Sequence, residues 1–202
     1  MDKIKFVLEN VKNKEVLDLG CVAHDFDLIN SQGKLWIHQI IKDNAKKVLG
    51  LDYEKKMVDE LNKKGYNILF GDAENFDTRK NFDVVFAGEL IEHLSNLKGF
   101  FNSVKKSLKK EGYFILTTPN CTRINAFLRI LIKGKSLESP YHSLTFSAFL
   151  IKNILTFNGF KDIEVYYSNA DYKANKSYIY LLLSLIRKEF RSNLIVRCKK
   201  DV

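Results

Sequence analysis

Two rhythms of apolar residues alternate along this chain. Short runs such as Val16-Leu17, Val48-Leu49 and Val84-Val85-Phe86 read as buried strands, and apolar positions three and four apart read as helices. The pattern predicts a helix over 4–11, a strand over 15–19 ended by Gly20, a helix over 35–43 and a strand over 47–51. A helix over 54–64 follows, with Met57 and Leu61 on one face and Gly65 as its stop. Strands over 67–70 and 82–86 come next. Leu97, Phe100, Phe101, Val104 and Leu108 then mark one face of an amphipathic helix. A strand over 113–117, a helix over 145–157 closing at Asn158-Gly159, and strands over 163–167 and 194–196 complete the order.

Alternation of strand and helix implies parallel strands joined by right-handed crossovers in a doubly wound α/β sheet. The length suits a single domain, 1–202. One segment breaks the alternation. It lies between the chain's two prolines, Pro119 and Pro140, and reads as a helical insertion at about 120–142.

Ligands of open α/β sheets bind beyond the carboxyl ends of the strands. Here those ends carry Asp18-Leu19-Gly20-Cys21-Val22, Asp52-Tyr53, Gly71-Asp72-Ala73-Glu74, Gly88-Glu89 and Thr117-Thr118-Pro119-Asn120. Gly20 permits a tight turn and a close backbone approach. Asp52 can accept from both hydroxyls of a ribose, and Asp72 from an adenine amino group. Aspartates at strand ends also cap the following helix, so each residue alone is ambiguous.

The ordered set EVLDLGCV (15–22), VLGLD (48–52), ILFGDAE (68–74), FDVVFAGELIEHLSN (82–96) and KEGYFILTTP (110–119) resembles the class I methyltransferases that use S-adenosylmethionine. The resemblance implies a Rossmann-like, mostly parallel seven-stranded sheet of order 3-2-1-4-5-7-6 with the last strand antiparallel. It implies that Gly20, Cys21 and Val22 meet the methionine part of the cofactor, Asp52 the ribose, Asp72 and Ala73 the adenine, and Gly88 and Glu89 the methyl-transfer side. Asp18, Tyr53 and Glu74 complete the implied cofactor-binding set. The family's G-x-G-x-G loop is altered here to Gly20-Cys21-Val22-Ala23-His24. Loss of the second glycine obstructs a pyrophosphate, so it weighs against a nicotinamide dinucleotide more than against S-adenosylmethionine, which has no phosphate. The long stretch between Asp18 and Asp52 holds His24, Asp25, Asp27, Trp36 and His38, which either line a substrate pocket or simply pack on a helix.

Methyl transfer from a sulfonium depends mainly on positioning, and a hydroxyl acceptor adds the need for a base. His93, after the fourth strand, and His142, at the end of the insertion, are the candidate catalytic residues. No spacing of acidic, histidine or cysteine residues demands a metal. The segment 120–142, the altered loop and the downstream Trp36-x-His38 resemble methyltransferases of surface-glycan pathways, which implies O-methylation of a sugar in a glycan or in its nucleotide- or lipid-linked precursor.

Charge and composition leave other readings open. The formal net charge is +9. That suits anionic partners or plain solubility, because the lysines are scattered. An RNA methyltransferase is one alternative, although no aromatic-and-basic binding module accompanies the charge and nucleic acid is not the expected partner. A non-catalytic cofactor-binding module is another. Ile124, Phe127, Leu128, Leu131 and Ile132, and again residues 178–186, form apolar stripes with basic neighbours; these suit a peripheral membrane contact, a homodimer or core packing. The three cysteines, Cys21, Cys121 and Cys198, are far apart and imply a reducing compartment without disulfides. With no secretory signal and no apolar run of ~18 residues, the expected location is the cytoplasm, with the inner membrane surface as the site of any lipid contact.

Overall fold

Strand β1 (Glu15–Leu19) is buried from Val16 onward, as expected for the centre of a parallel sheet covered on both faces. The computed structural model describes residues 2–22, 36–134, 139–169 and 186–201. Around β1 lie β2 (Lys47–Asp52), β3 (Ile68–Phe70), β4 (Phe82–Gly88), β5 (Leu108–Pro119), β6 (Phe160–Ser168) and β7 (Asn193–Lys200). They form one sheet of order β3-β2-β1-β4-β5-β7-β6. The pairings among β1 to β5 are parallel, and β7 runs antiparallel to both β5 and β6. This is the topology implied by the resemblance.

Side chains alternate across a strand with a period of two. Leu17 and Leu19 of β1 and Val85 and Ala87 of β4 therefore share one core with Phe100 and Phe101 of α4 (Leu97–Ser107) and with Ile151 and Leu155 of α6 (Ala148–Phe157). Val16, Val84 and Phe86 face the other way, onto Phe6, Val7 and Val11 of α1 (Lys3–Val11) and Ile41 of α2 (Ile37–Asn44). Helix α3 (Lys55–Lys63) packs Val58 and Leu61 beside Cys21 and Ile68. Gly65 does end this helix region in a left-handed conformation (φ 85°).

Several boundaries differ from the expectation: β4, β6 and β7 run longer than their apolar cores, and the ends around β5 and α6 shift for local reasons. Helix α4 stops at Ser107, and Leu108 opens β5 with an extended backbone (φ −91°, ψ 135°). The first part of β5 pairs irregularly: Leu108 faces Phe82, then Tyr113 faces Val84, and residues 109–112 bulge between. The helix expected from 145 begins at Ala148, because Phe146 is bridged to Asn120 and the Ser147 hydroxyl caps the helix by accepting from Leu150 N–H (3.2 Å). Between β5 and α6 lies helix α5 (Ile124–Lys133). His24, Asp25 and Asp27 lie outside the described residues, as does all of the apolar stretch 178–186 except Ile186. No described helix is long and apolar enough to cross a membrane.

Candidate functional site

The turn after β1 is held by its neighbours rather than by glycines. Gly20 is left-handed (φ 65°), and a Cβ there would lie 2.9 Å from the Leu90 side chain. Its N–H donates to Leu51 O (2.9 Å), tying it to β2. Val22 N–H donates to Asp52 Oδ2 (2.9 Å), while Asp52 Oδ1 accepts from Glu54 N–H (3.0 Å). One carboxylate thus spans the altered loop and the start of α3. Cys21 O accepts from Trp36 Nε1–H (2.8 Å), so the turn is also clasped from α2. Burial pushes the Cys21 thiol well up, which leaves it a packing group beside Gly50.

Asp18 pairs in register with Gly50 and points from the same face of the sheet toward α2. Its Oδ2 lies 2.8 Å from His38 Nδ1, and both residues are buried. Burial raises the Asp18 carboxyl, and the bond to His38 pulls it partly back. Of the two readings of Trp36 and His38, the structure bears out packing and bonding on a helix: among the described residues both side chains serve the β1 turn.

At the next tips, Gly71 N–H donates to Asp52 O (2.9 Å), which sets the third strand end against the second. Asp72 is exposed, and its Oδ1 accepts from Glu74 N–H (2.8 Å). Ala73 is buried beside it. The Glu74 carboxylate is taken up by Ser95, whose N–H and hydroxyl both donate to it, and the backbone bond holds its pKa low. Tyr53 is exposed after Asp52.

The tip of β4 carries the polar cluster. Gly88 leads into Glu89, which is left-handed (φ 51°). Glu89 Oε1 accepts from Thr117 Oγ1 (2.8 Å), Asn193 Nδ2 (3.1 Å) and Lys3 Nζ (3.4 Å). Strands β5 and β7 and helix α1 therefore all fix this carboxylate. Glu92 is buried in the following 3-10 turn (Ile91–His93) and accepts from Thr118 Oγ1 (3.0 Å). Burial, reinforced by the negative charge of Glu89, pushes its pKa up to about 8.

The two expected histidines meet here. Their rings lie edge to face, 4.9 Å between centroids. Ser143 and Leu144 N–H both donate to Glu92 O (2.8 and 3.1 Å), which folds the end of the insertion over this turn. His93 Nδ1 lies 3.1 Å from Tyr141 O. A carbonyl only accepts, so neutral His93 carries its proton on Nδ1 and keeps the Nε2 lone pair. Donor atoms of Glu92, His93 and His142 lie within 4.8 Å of one another, a set able to share a proton or to hold one divalent cation. Sequence reading proposed His93 and His142 and placed Thr118 at a strand tip, but missed Lys3, Glu92 and Asn193, whose parts depend on long-range contacts. Glu92 alone had a local signal, its place beside His93.

Residues 28–116 match the family model described as a methyltransferase domain. The chain is 28% identical over 152 residues to a ubiquinone biosynthesis O-methyltransferase of Rickettsia bellii, covering 74% of this chain and 61% of that protein. It thus spans about three fifths of that curated relative. A solved S-adenosylmethionine-dependent methyltransferase from Archaeoglobus fulgidus superposes with a TM-score of 0.63 at 17% identity, covering 98% of this chain and 91% of that one. A phosphoethanolamine N-methyltransferase of Haemonchus contortus, solved with S-adenosyl-L-methionine, superposes with a TM-score of 0.64 at 16% identity, covering 99% and 52%. These structures share the fold described above.

Proposed function

We propose that this chain is an S-adenosyl-L-methionine-dependent O-methyltransferase. The observation that carries the reading is the Asp52 carboxylate, fixed by Val22 N–H and Glu54 N–H at the junction of the first two strand tips. Each of its oxygens accepts one backbone N–H and retains a lone pair, which is the acceptor capacity that a ribose diol needs. The left-handed Gly20 turns the chain sharply at the strand tip, its missing Cβ making room for the Leu90 side chain, and exposed Asp72 lies beyond the neighbouring tip. These residues fit the adenosine and the sulfur-bearing tail. When bound, the cofactor supplies an electrophilic methyl group whose leaving group is a neutral thioether.

The chain's own residues supply position and a base. Glu89 is oriented by Thr117, Asn193 and Lys3 at the tip of β4. His93 keeps Nε2 free to take a proton, with its ring set by Tyr141 O and the His142 ring. Similarity to ubiquinone biosynthesis O-methyltransferases supports a hydroxyl acceptor, and that pathway favours a phenolic hydroxyl over the sugar hydroxyl expected from sequence.

The test is transfer of a labelled methyl group to a panel of an ortho-dihydroxybenzoate, a nucleotide sugar and RNA. Methylation of the phenol supports the reading. Methylation of the sugar or the RNA overturns the acceptor. No binding of cofactor or product overturns the activity.

A further inference from the structure

Among the described residues, the buried side chains of helix α5 lie in its first turn. Ile124 and Ala126 are buried, whereas Phe127, Ile130, Leu131 and Ile132 are 53 to 75% exposed. Such large apolar side chains, side by side in the open, mark an interaction surface. The helix is amphipathic nonetheless. At 3.6 residues per turn, its apolar positions sweep an arc of roughly 200°. Asn125, Arg129 and Lys133, spaced four apart, line the remaining side.

Charge selects the partner. From residue 121 to residue 159 the sequence holds one acidic residue, Glu138, against Arg123, Arg129, Lys133, Lys135 and Lys152. A second copy of the chain would set Arg129 and Lys133 against their like. An anionic lipid surface would accept both features at once: apolar side chains enter the boundary of the acyl region while the cationic heads stay with the phosphates.

We propose that α5 docks the protein on an anionic bilayer surface, lying in the interface with Phe127, Leu131 and Ile132 inserted and Arg129 and Lys133 at headgroup level. Its position matters for the site. The segment that carries α5 leaves from Asn120 at the end of β5 and returns at His142, beside His93. A docked α5 therefore sets the lipid surface next to the acceptor side. The docking stands apart from the proposed reaction and can be tested without it.

The test is co-sedimentation with phosphatidylcholine vesicles, pure or containing about one third phosphatidylglycerol. The intact chain is compared with the double variant Leu131→Glu, Ile132→Glu. Both positions are exposed, so the variant keeps its fold, which circular dichroism checks. The expected result is binding to the anionic vesicles that weakens in high salt and falls at least ~10-fold in the variant. Three results overturn the docking: no binding of the intact chain, equal binding of the two proteins, or a solution dimer that the substitutions dissociate without any vesicle binding.

Discussion

His38 Nδ1 and Asp18 Oδ2 meet at 2.8 Å inside the protein, joining the end of β1 to the first turn of α2. Two residues before His38, Trp36 donates from the same helix end to Cys21 O. Helix α2 thus grips the β1 turn twice, once through a strand side chain and once through its backbone. With Asp52 holding Val22 N–H from the other side, three contacts give the turn the definition that its missing glycines do not.

His38→Leu leaves a buried carboxylate without its partner. Loss of one member of such a pair costs about 3 kcal/mol. Asn at this position keeps an N–H close to that of Nδ1 and recovers part of the loss. Urea unfolding at pH 7 measures both variants, and a leucine variant as stable as the parent contradicts this role.

Asp52→Asn removes charge from two backbone hydrogen bonds and turns one acceptor into a donor. Charge-assisted bonds are about twice as strong as neutral ones. The expected outcome is a stability loss of about 1–2 kcal/mol together with at least ~10-fold weaker binding of the cofactor product. Titration calorimetry and thermal unfolding separate the two effects. Unchanged affinity removes Asp52 from the nucleoside site.

Glu92 makes stability depend on pH. Its folded pKa of about 8 lies above the ordinary 4.5, so the native state keeps a proton that the unfolded chain releases. That contribution is complete below the ordinary value and disappears as pH rises through about 8. Glu92→Gln cannot titrate. Relative to the parent, it gains stability on the order of 3 kcal/mol between acid and alkaline buffer. Denaturation midpoints across that range, in the presence of a chelator, check the sign. Parallel curves for the two proteins contradict it.

His93→Gln removes the Nε2 base while preserving a polar side chain. General-base catalysis contributes about 10²–10⁴-fold, so kcat should fall at least ~100-fold with little change in the KM for the cofactor. His142→Ala removes the ring packed against His93 and should give a smaller loss. Equal, modest losses in kcat for both variants would assign the base elsewhere.

Much of the fold was legible because it rests on local periodicity. Strand β1 was predicted to its last residue, and the strand tips delivered Gly20, Asp52, Asp72 and Glu89 to one edge of the sheet. The misreadings arose where tertiary contacts override local pattern. Leu108 continues the apolar face of α4 by spacing, yet sheet pairing with Phe82 draws it into β5. Thr145 looked like a helix start until the bridge between Asn120 and Phe146 moved the cap to Ser147. The grip of His38 on Asp18 crosses twenty residues, and that of Lys3 on Glu89 crosses eighty-six; no window of sequence reports either.

The central claim is that these strand tips receive S-adenosyl-L-methionine, and calorimetric titration with its product, S-adenosyl-L-homocysteine, tests it most directly. The account predicts one-to-one binding with a Kd in the micromolar range, on the order of −8 kcal/mol, and clear weakening in Asp52→Asn. A folded protein that gives no binding heat and no thermal stabilisation at millimolar ligand would contradict it.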